Sequence, residues 1–148
     1  MTRVEGKRVV IDRPVEAVWS FMTDISNMPR WEDSRAEWKP TSEGPIDLGS
    51  TFQSSSRFLG LELKTDLRIT EFEPNRKFAA EATNGRAKGT KISYFMEPVD
   101  GGKTRLSRVT EAQLHGLAKL LQPLLAPITK WTGGMEANNV KRVLESQH

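Results

Sequence analysis

Residues 9–31, VVIDRPVEAVWSFMTDISNMPRW, decide how this chain is read. Val9 to Asp12 is β-branched and apolar, the texture of a strand end that reaches back to about Arg3. Pro14 follows, and its fixed φ and missing N–H suit a first helical turn. Val15, Val18, Met22 and Ile25 then recur at three- and four-residue spacing, which predicts a helix with one apolar stripe from Pro14 to about Asp24. Asn27 to Trp31 suits a further short turn, kept brief by Pro29.

Beyond Glu37 the texture changes. TSEGPIDLG, FLGLE, FEPNRK, ATNGRAKG and PVDGGKT supply Gly, Pro, Asn or Asp at regular intervals, the chemistry of hairpin turns. Between them lie predicted strands at 35–41, 49–59, 61–73, 76–84, 88–99 and 102–112. They are spaced too closely for crossover helices, so an antiparallel meander is the natural arrangement. Leu61, Leu63, Leu67 and Ile69 share one parity while Glu62, Lys64, Asp66 and Arg68 share the other, which makes the sheet wet on one face. Phe78, Ala80 and Ala82 point together, as do Ile92, Tyr94 and Met96.

The apolar face needs a cover, and the C-terminal segment supplies one. Leu117, Leu120, Leu121, Leu124, Ile128, Trp131 and Met135 fall at helical spacing, with Val140, Val143 and Leu144 extending the apolar content. Pro123 and Pro127 each remove a donor and clash with the preceding turn, so a break near Gln122 and a main helix from about Pro127 to Glu145 are expected. A chain of 148 residues buries a core of ordinary size without staples, which makes residues 1–148 a single domain.

Composition closes several chemistries. The net charge is only +3, from 22 basic and 19 acidic residues, and the signs alternate along most segments, so no nucleic-acid partner is expected. Zero cysteines removes disulfides, thiol nucleophiles and cysteine metal sites. With His115 and His148 the only histidines, no metal cluster is expected. Gly101-Gly102 reads as a hairpin and Gly133-Gly134 lies inside a helix, so neither makes a phosphate loop, and no cofactor is expected. No apolar run reaches spanning length and MTRVEGKRVVID has no signal-peptide core. The expectation is a cytoplasmic monomer or homodimer with no integral membrane association.

The order of elements carries a resemblance. IDRPVEAVW at 11–19, Asp24, PRW at 29–31, Gly49 opening a strand, the TEFEPNRKF turn at 70–78 and Val143-Leu144-Glu145 follow one another as in the START and polyketide cyclase superfamily. The resemblance covers nearly the whole chain. It implies an α+β helix-grip fold: a curved antiparallel seven-stranded sheet wrapped around a long C-terminal helix, with two short helices between strands 1 and 2 and a largely apolar cavity inside. Such a cavity binds sterols, lipids, polyketides or plant-hormone-like molecules. Only some members catalyse a reaction, and their catalytic residues differ between subfamilies, so the resemblance carries none across.

The candidate site residues follow from parity. Trp19 and Trp31 pin the small helices on the sheet, and Trp31 could also line a cavity mouth, its indole N–H needing a partner either way. Phe52, Ser54, Ser56 and Phe58 share a parity, so Ser54 and Ser56 either meet a ligand oxygen or water inside or are turned outward by a bulge. Arg108 shares the parity of Thr104, Leu106 and Thr110. It could hold a ligand carboxylate or enolate, pair with Glu81 or Glu111, or extend to solvent. Tyr94, the only tyrosine, lies on the apolar parity of its strand. The two helix glycines, Gly133 and Gly134, point to close packing, to volume for a ligand or to a kink.

The leading expectation is a module that binds or transports a hydrophobic small molecule in a cavity lined by Phe52, Leu63, Leu67, Phe78, Tyr94, Leu124, Ile128 and Trp131. The alternative is a cyclase or dehydratase in which Tyr94, Arg108 or a cavity serine positions an enol or exchanges a proton. A third reading is a protein-interaction module that uses the sheet edge or the apolar mouth.

Overall fold

In a computed structural model, residues 2–32, 36–58 and 60–146 are described, without the side chains of residues 36, 56, 58, 61 and 63. The strands are β1 (Thr2–Glu5), β2 (Val9–Ile11), β3 (Ala36–Pro40), β4 (Thr51–Phe58), β5 (Leu61–Glu73), β6 (Lys77–Ala82), β7 (Lys91–Val99) and β8 (Lys103–Ala112). Helices α1 (Val15–Met22) and α2 (Met28–Trp31) lie between β2 and β3, and α3 (Leu125–Glu145) closes the chain. The sheet runs β1–β8–β7–β6–β5–β4–β3, with β2 also on β8 and every pairing antiparallel. This is the expected helix-grip fold.

The first predicted strand divides in two. Glu5 pairs with Val109 and Val9 with Leu106, so the outer chain advances four residues while β8 advances three. That one-residue excess is a bulge, and it switches the inward parity from Val4 to Val9 and Ile11, all of them buried. The Gly6 N–H still bonds the Arg108 carbonyl at 2.8 Å. A second bulge between Ile69 and Glu71 shifts β5 in the same way, which brings Phe72 inward against Trp19, the ring centroids 5.0 Å apart.

The helices obey their expected signals with small differences. Pro14 stands at the N-cap of α1, and Val15, Val18, Trp19, Phe21 and Met22 are buried. Asp24 accepts from the Ser26 N–H at 3.0 Å and starts a short 3₁₀ turn, Ile25–Asn27, before α2. At the other end, residues Gly116–Leu124 form a 3₁₀ segment that contains Pro123. The expected start of the main helix is corrected by two residues. α3 begins at Leu125 and holds Pro127 in its first turn, where the missing N–H would have had no partner in the helix.

The packing face of α3 also departs from expectation. Its buried residues are Leu125, Gly133, Glu136, Ala137, Val140 and Leu144, whereas Leu117, Leu120, Leu124 and Trp131 are exposed. The physical reason is phase: a 3₁₀ turn advances by three residues rather than 3.6, so a stripe drawn through Leu117 and Leu120 at α-helical spacing does not continue into α3. Among the described residues three clusters make the core. One joins α1, α2 and α3 to β2, β6, β7 and β8; one fills the concave side of β4–β6 beneath Met28 and Ile46; a small one holds Ala112, Leu114, Ala118 and Leu125.

Candidate functional site

Tyr94 is the centre of the interior. β7 carries it inward with Ile92 and Met96, and β8 places Arg108 directly opposite in register. The Phe78 ring stacks on Tyr94 at 4.9 Å, and Trp31 meets it edge-on at 5.6 Å and 88°. The Arg108 guanidinium lies 5.9 Å from the centre of the Tyr94 ring. From α3 comes Glu136, whose carboxylate joins the two candidates. The Tyr94 hydroxyl donates to Glu136 Oε2 at 2.6 Å, and Arg108 Nη1 donates to Oε1 at 2.6 Å. The side chains of Arg108 and Glu136 keep only 10% and 8% of their exposure.

Electrostatics locks this trio. Burial, followed by the neighbouring charge of Glu136, pushes the Tyr94 hydroxyl well above its ordinary range, and the Arg108 charge only partly opposes this. Tyr94 is therefore a neutral donor at any physiological pH. Arg108 reaches Glu136 because α3 carries Gly133 one turn earlier: a Cβ there would stand 3.3 Å from Arg108 Cδ. Of the three roles open to the glycine pair, close approach accounts for Gly133, while a Cβ on Gly134 would meet nothing within 4 Å.

On the other side of Tyr94 lies an apolar cavity. Its walls come from α1 and α2 through Met22, Met28 and Trp31, and from the sheet through Trp38, Phe52, Ile69, Phe78, Ala80, Ile92 and Tyr94, with Ile46 above. Among the described residues Glu32, next to Trp31, is the only charged one on the wall. Trp31 is 2% exposed, and its Nε1–H is buried without a hydrogen-bond partner. The water-accessible space is about 30 Å³, enough for about two waters. A larger occupant has to displace side chains, and Met22 and Met28 are unbranched thioethers suited to that.

The residues read from sequence divide in position. Trp31, Phe52, Phe78 and Tyr94 line this cavity, and Arg108 stands behind Tyr94 beside Glu136. Leu67 is buried in the cluster beneath Met28, and Ser54 is buried on β4 opposite Thr65. The side chains of Ser56 and Leu63 lie outside the described residues. Ile128 is half-buried on α3, and Leu124 and Trp131 are 45% and 58% exposed; none of the three borders the cavity around Trp31. Arg108 pairs with Glu136, not with Glu81 or Glu111 as considered; Glu111 instead binds Arg3 on the outer surface at 3.2 Å. Glu136 and Glu32 went unread. The signal for Glu136 was its position: four residues before Val140 and eight before Leu144, an acid in phase with the buried stripe of α3.

Comparison with known proteins agrees with this architecture. The family model described as polyketide cyclase / dehydrase and lipid transport matches residues 1–147. Among solved structures, TTHA0849 from Thermus thermophilus superposes with a TM-score of 0.80 at 14% identity, covering 99% of this chain and 100% of that one. The Zhui aromatase/cyclase from Streptomyces sp. R1128 gives a TM-score of 0.79 at 14% identity, covering 97% and 93%. Ara h 8.0201 gives 0.71 at 11% identity, covering 99% of each chain. No curated protein matches the sequence.

Proposed function

The chain belongs to the polyketide cyclase / dehydrase and lipid transport family, and from that premise we propose that it binds an apolar small molecule bearing a hydrogen-bond acceptor, held in the cavity around Trp31. One observation carries the reading: Trp31, a wall residue of a partly open and largely apolar cavity, has a buried indole N–H with no hydrogen-bond partner. Leaving a buried donor unsatisfied costs about 1–3 kcal/mol, and a ligand carbonyl or ether oxygen placed there recovers it. The apolar wall supplies the remaining affinity through burial.

Binding is favoured over turnover by the state of the two polar candidates. The Tyr94 proton is committed to Glu136, and the Arg108 charge is neutralised by the same carboxylate. Neither group is poised to exchange a proton with an enol, as a cyclase or dehydratase reaction requires. The trio therefore reads as a polar core that orients Tyr94 and fixes α3 against β7 and β8.

Calorimetric titration with fluorenone and with fluorene, which share one ring skeleton and differ by the carbonyl, tests this. Fluorenone is expected to bind more tightly, and Trp31→Phe is expected to weaken it about ten-fold while leaving fluorene nearly unchanged. Failure of both to bind, or equal losses in the variant, would overturn the reading.

A further inference from the structure

Between Glu111 and Glu136 the sequence contains no acidic residue, although the chain has 19. This is the stretch that forms the 3₁₀ segment and the first half of α3. Among the described residues it also carries most of the large apolar side chains left in solvent: Leu117 is 68% exposed, Leu120 79%, Leu124 45% and Trp131 58%. Leu124, the residue just before α3, and Trp131 in its second turn are seven residues apart, about two helical turns. Single exposed leucines are ordinary, but a run of this kind along one segment is not.

Cations surround it. Lys119 and Lys130 lie within the segment and are exposed. The turn that holds Arg86 and Lys88 is tied to its start, because the His115 N–H bonds the Arg86 carbonyl at 2.8 Å and His115 Nε2 lies 2.8 Å from the Lys88 carbonyl. Arg86 and Lys88 are exposed as well. The segment and the turn tied to it thus carry aliphatic side chains, a tryptophan and four exposed cations, with no carboxylate between Glu111 and Glu136.

We propose that this face docks the protein on the surface of an anionic lipid bilayer. Leucines and a tryptophan suit the boundary between headgroups and acyl chains, and lysine and arginine suit the anionic headgroups above it. A second copy of this chain is a poorer occupant, since a two-fold contact would bring the same cations face to face. No helix of the described residues is long and apolar enough to cross a membrane, so the contact is peripheral. The proposal does not depend on what the cavity holds.

Co-sedimentation of the full chain with vesicles tests it. The protein is expected to pellet with phosphatidylcholine–phosphatidylserine vesicles, to remain in solution with phosphatidylcholine alone, and to be released by salt. Lys119→Gln with Lys130→Gln is expected to weaken partitioning about five-fold per lysine. Leu117→Ser with Leu120→Ser is expected to weaken it about ten-fold or more. Both variants alter exposed side chains and should melt with the parent protein, which separates lost docking from lost folding. Failure to bind the mixed vesicles, equal binding to neutral ones, or unchanged binding by both variants would overturn the proposal. So would a concentration-dependent dimer that Leu120→Ser dissociates and that binds no vesicles.

Discussion

Glu136 shows what a single side chain does in this interior. It accepts from Tyr94 and from Arg108 at the same time, so removing it would leave the Arg108 charge buried without this partner, a change that typically costs about 3–5 kcal/mol. Tyr94 makes the arrangement measurable because it is the only tyrosine. Its folded-state pKa is raised above the unfolded value near 10, so the stability it contributes is complete below about pH 10 and is lost as pH rises through the folded pKa. Absorbance at the phenolate band is expected to stay flat above pH 10 until the protein unfolds, then to rise together with loss of the circular dichroism signal. Phenolate formation in the folded protein, with an ordinary midpoint, would contradict the buried donor. At this scale the inward parity of Tyr94 was legible in the alternation of β7, while the alternation of β8 left Arg108 open between an inward partner and solvent. Their shared partner was not legible, because it comes from an element far away in sequence whose register on the sheet no local pattern specifies.

Between elements, the meeting of α3 with β8 is shaped by glycine and by bulges. Gly133 and Gly134 are neighbours in one helix, yet their surroundings differ: a Cβ on the first meets Arg108 Cδ at 3.3 Å, and one on the second meets nothing. Gly134→Ala is therefore expected to stabilise the protein by up to about 1 kcal/mol through helix propensity alone. Gly133→Ala gains the same propensity but pushes on a guanidinium held at 2.6 Å by Glu136, and crowding of this kind costs about 1–3 kcal/mol. Thermal unfolding should place Gly134→Ala above the parent protein and Gly133→Ala below it. The reverse order would mean that Arg108 yields freely and that the pair is loosely held. The glycine pair could be singled out from sequence as needing a reason, but its two members could not be told apart. The split of the first strand was hidden for a similar reason: Glu5 to Val9 reads as continuous strand until the three-residue advance of β8 beside it is known.

For the whole molecule, the order of elements from IDRPVEAVW to the C-terminal helix was enough to anticipate the grip. Strand parities predicted which sheet face is apolar, and turn chemistry placed the hairpins within a few residues. The content of the grip was less legible. Cavity volume depends on side-chain fit among distant elements, and the 3₁₀ segment alters which residues of the C-terminal stretch turn inward. In the proposed function the cavity around Trp31 accepts an apolar ligand through the indole N–H. The four tryptophan side chains give four indole N–H resonances in a nitrogen–proton correlation spectrum, and Trp31→Phe identifies one of them by its loss. On titration with fluorenone, the Trp31 resonance is expected to move downfield and to saturate with the calorimetric isotherm, while the signals of Trp19, Trp38 and Trp131 move less. A Trp31 resonance that stays in place while fluorenone binds, or a response confined to Trp131, would contradict the account.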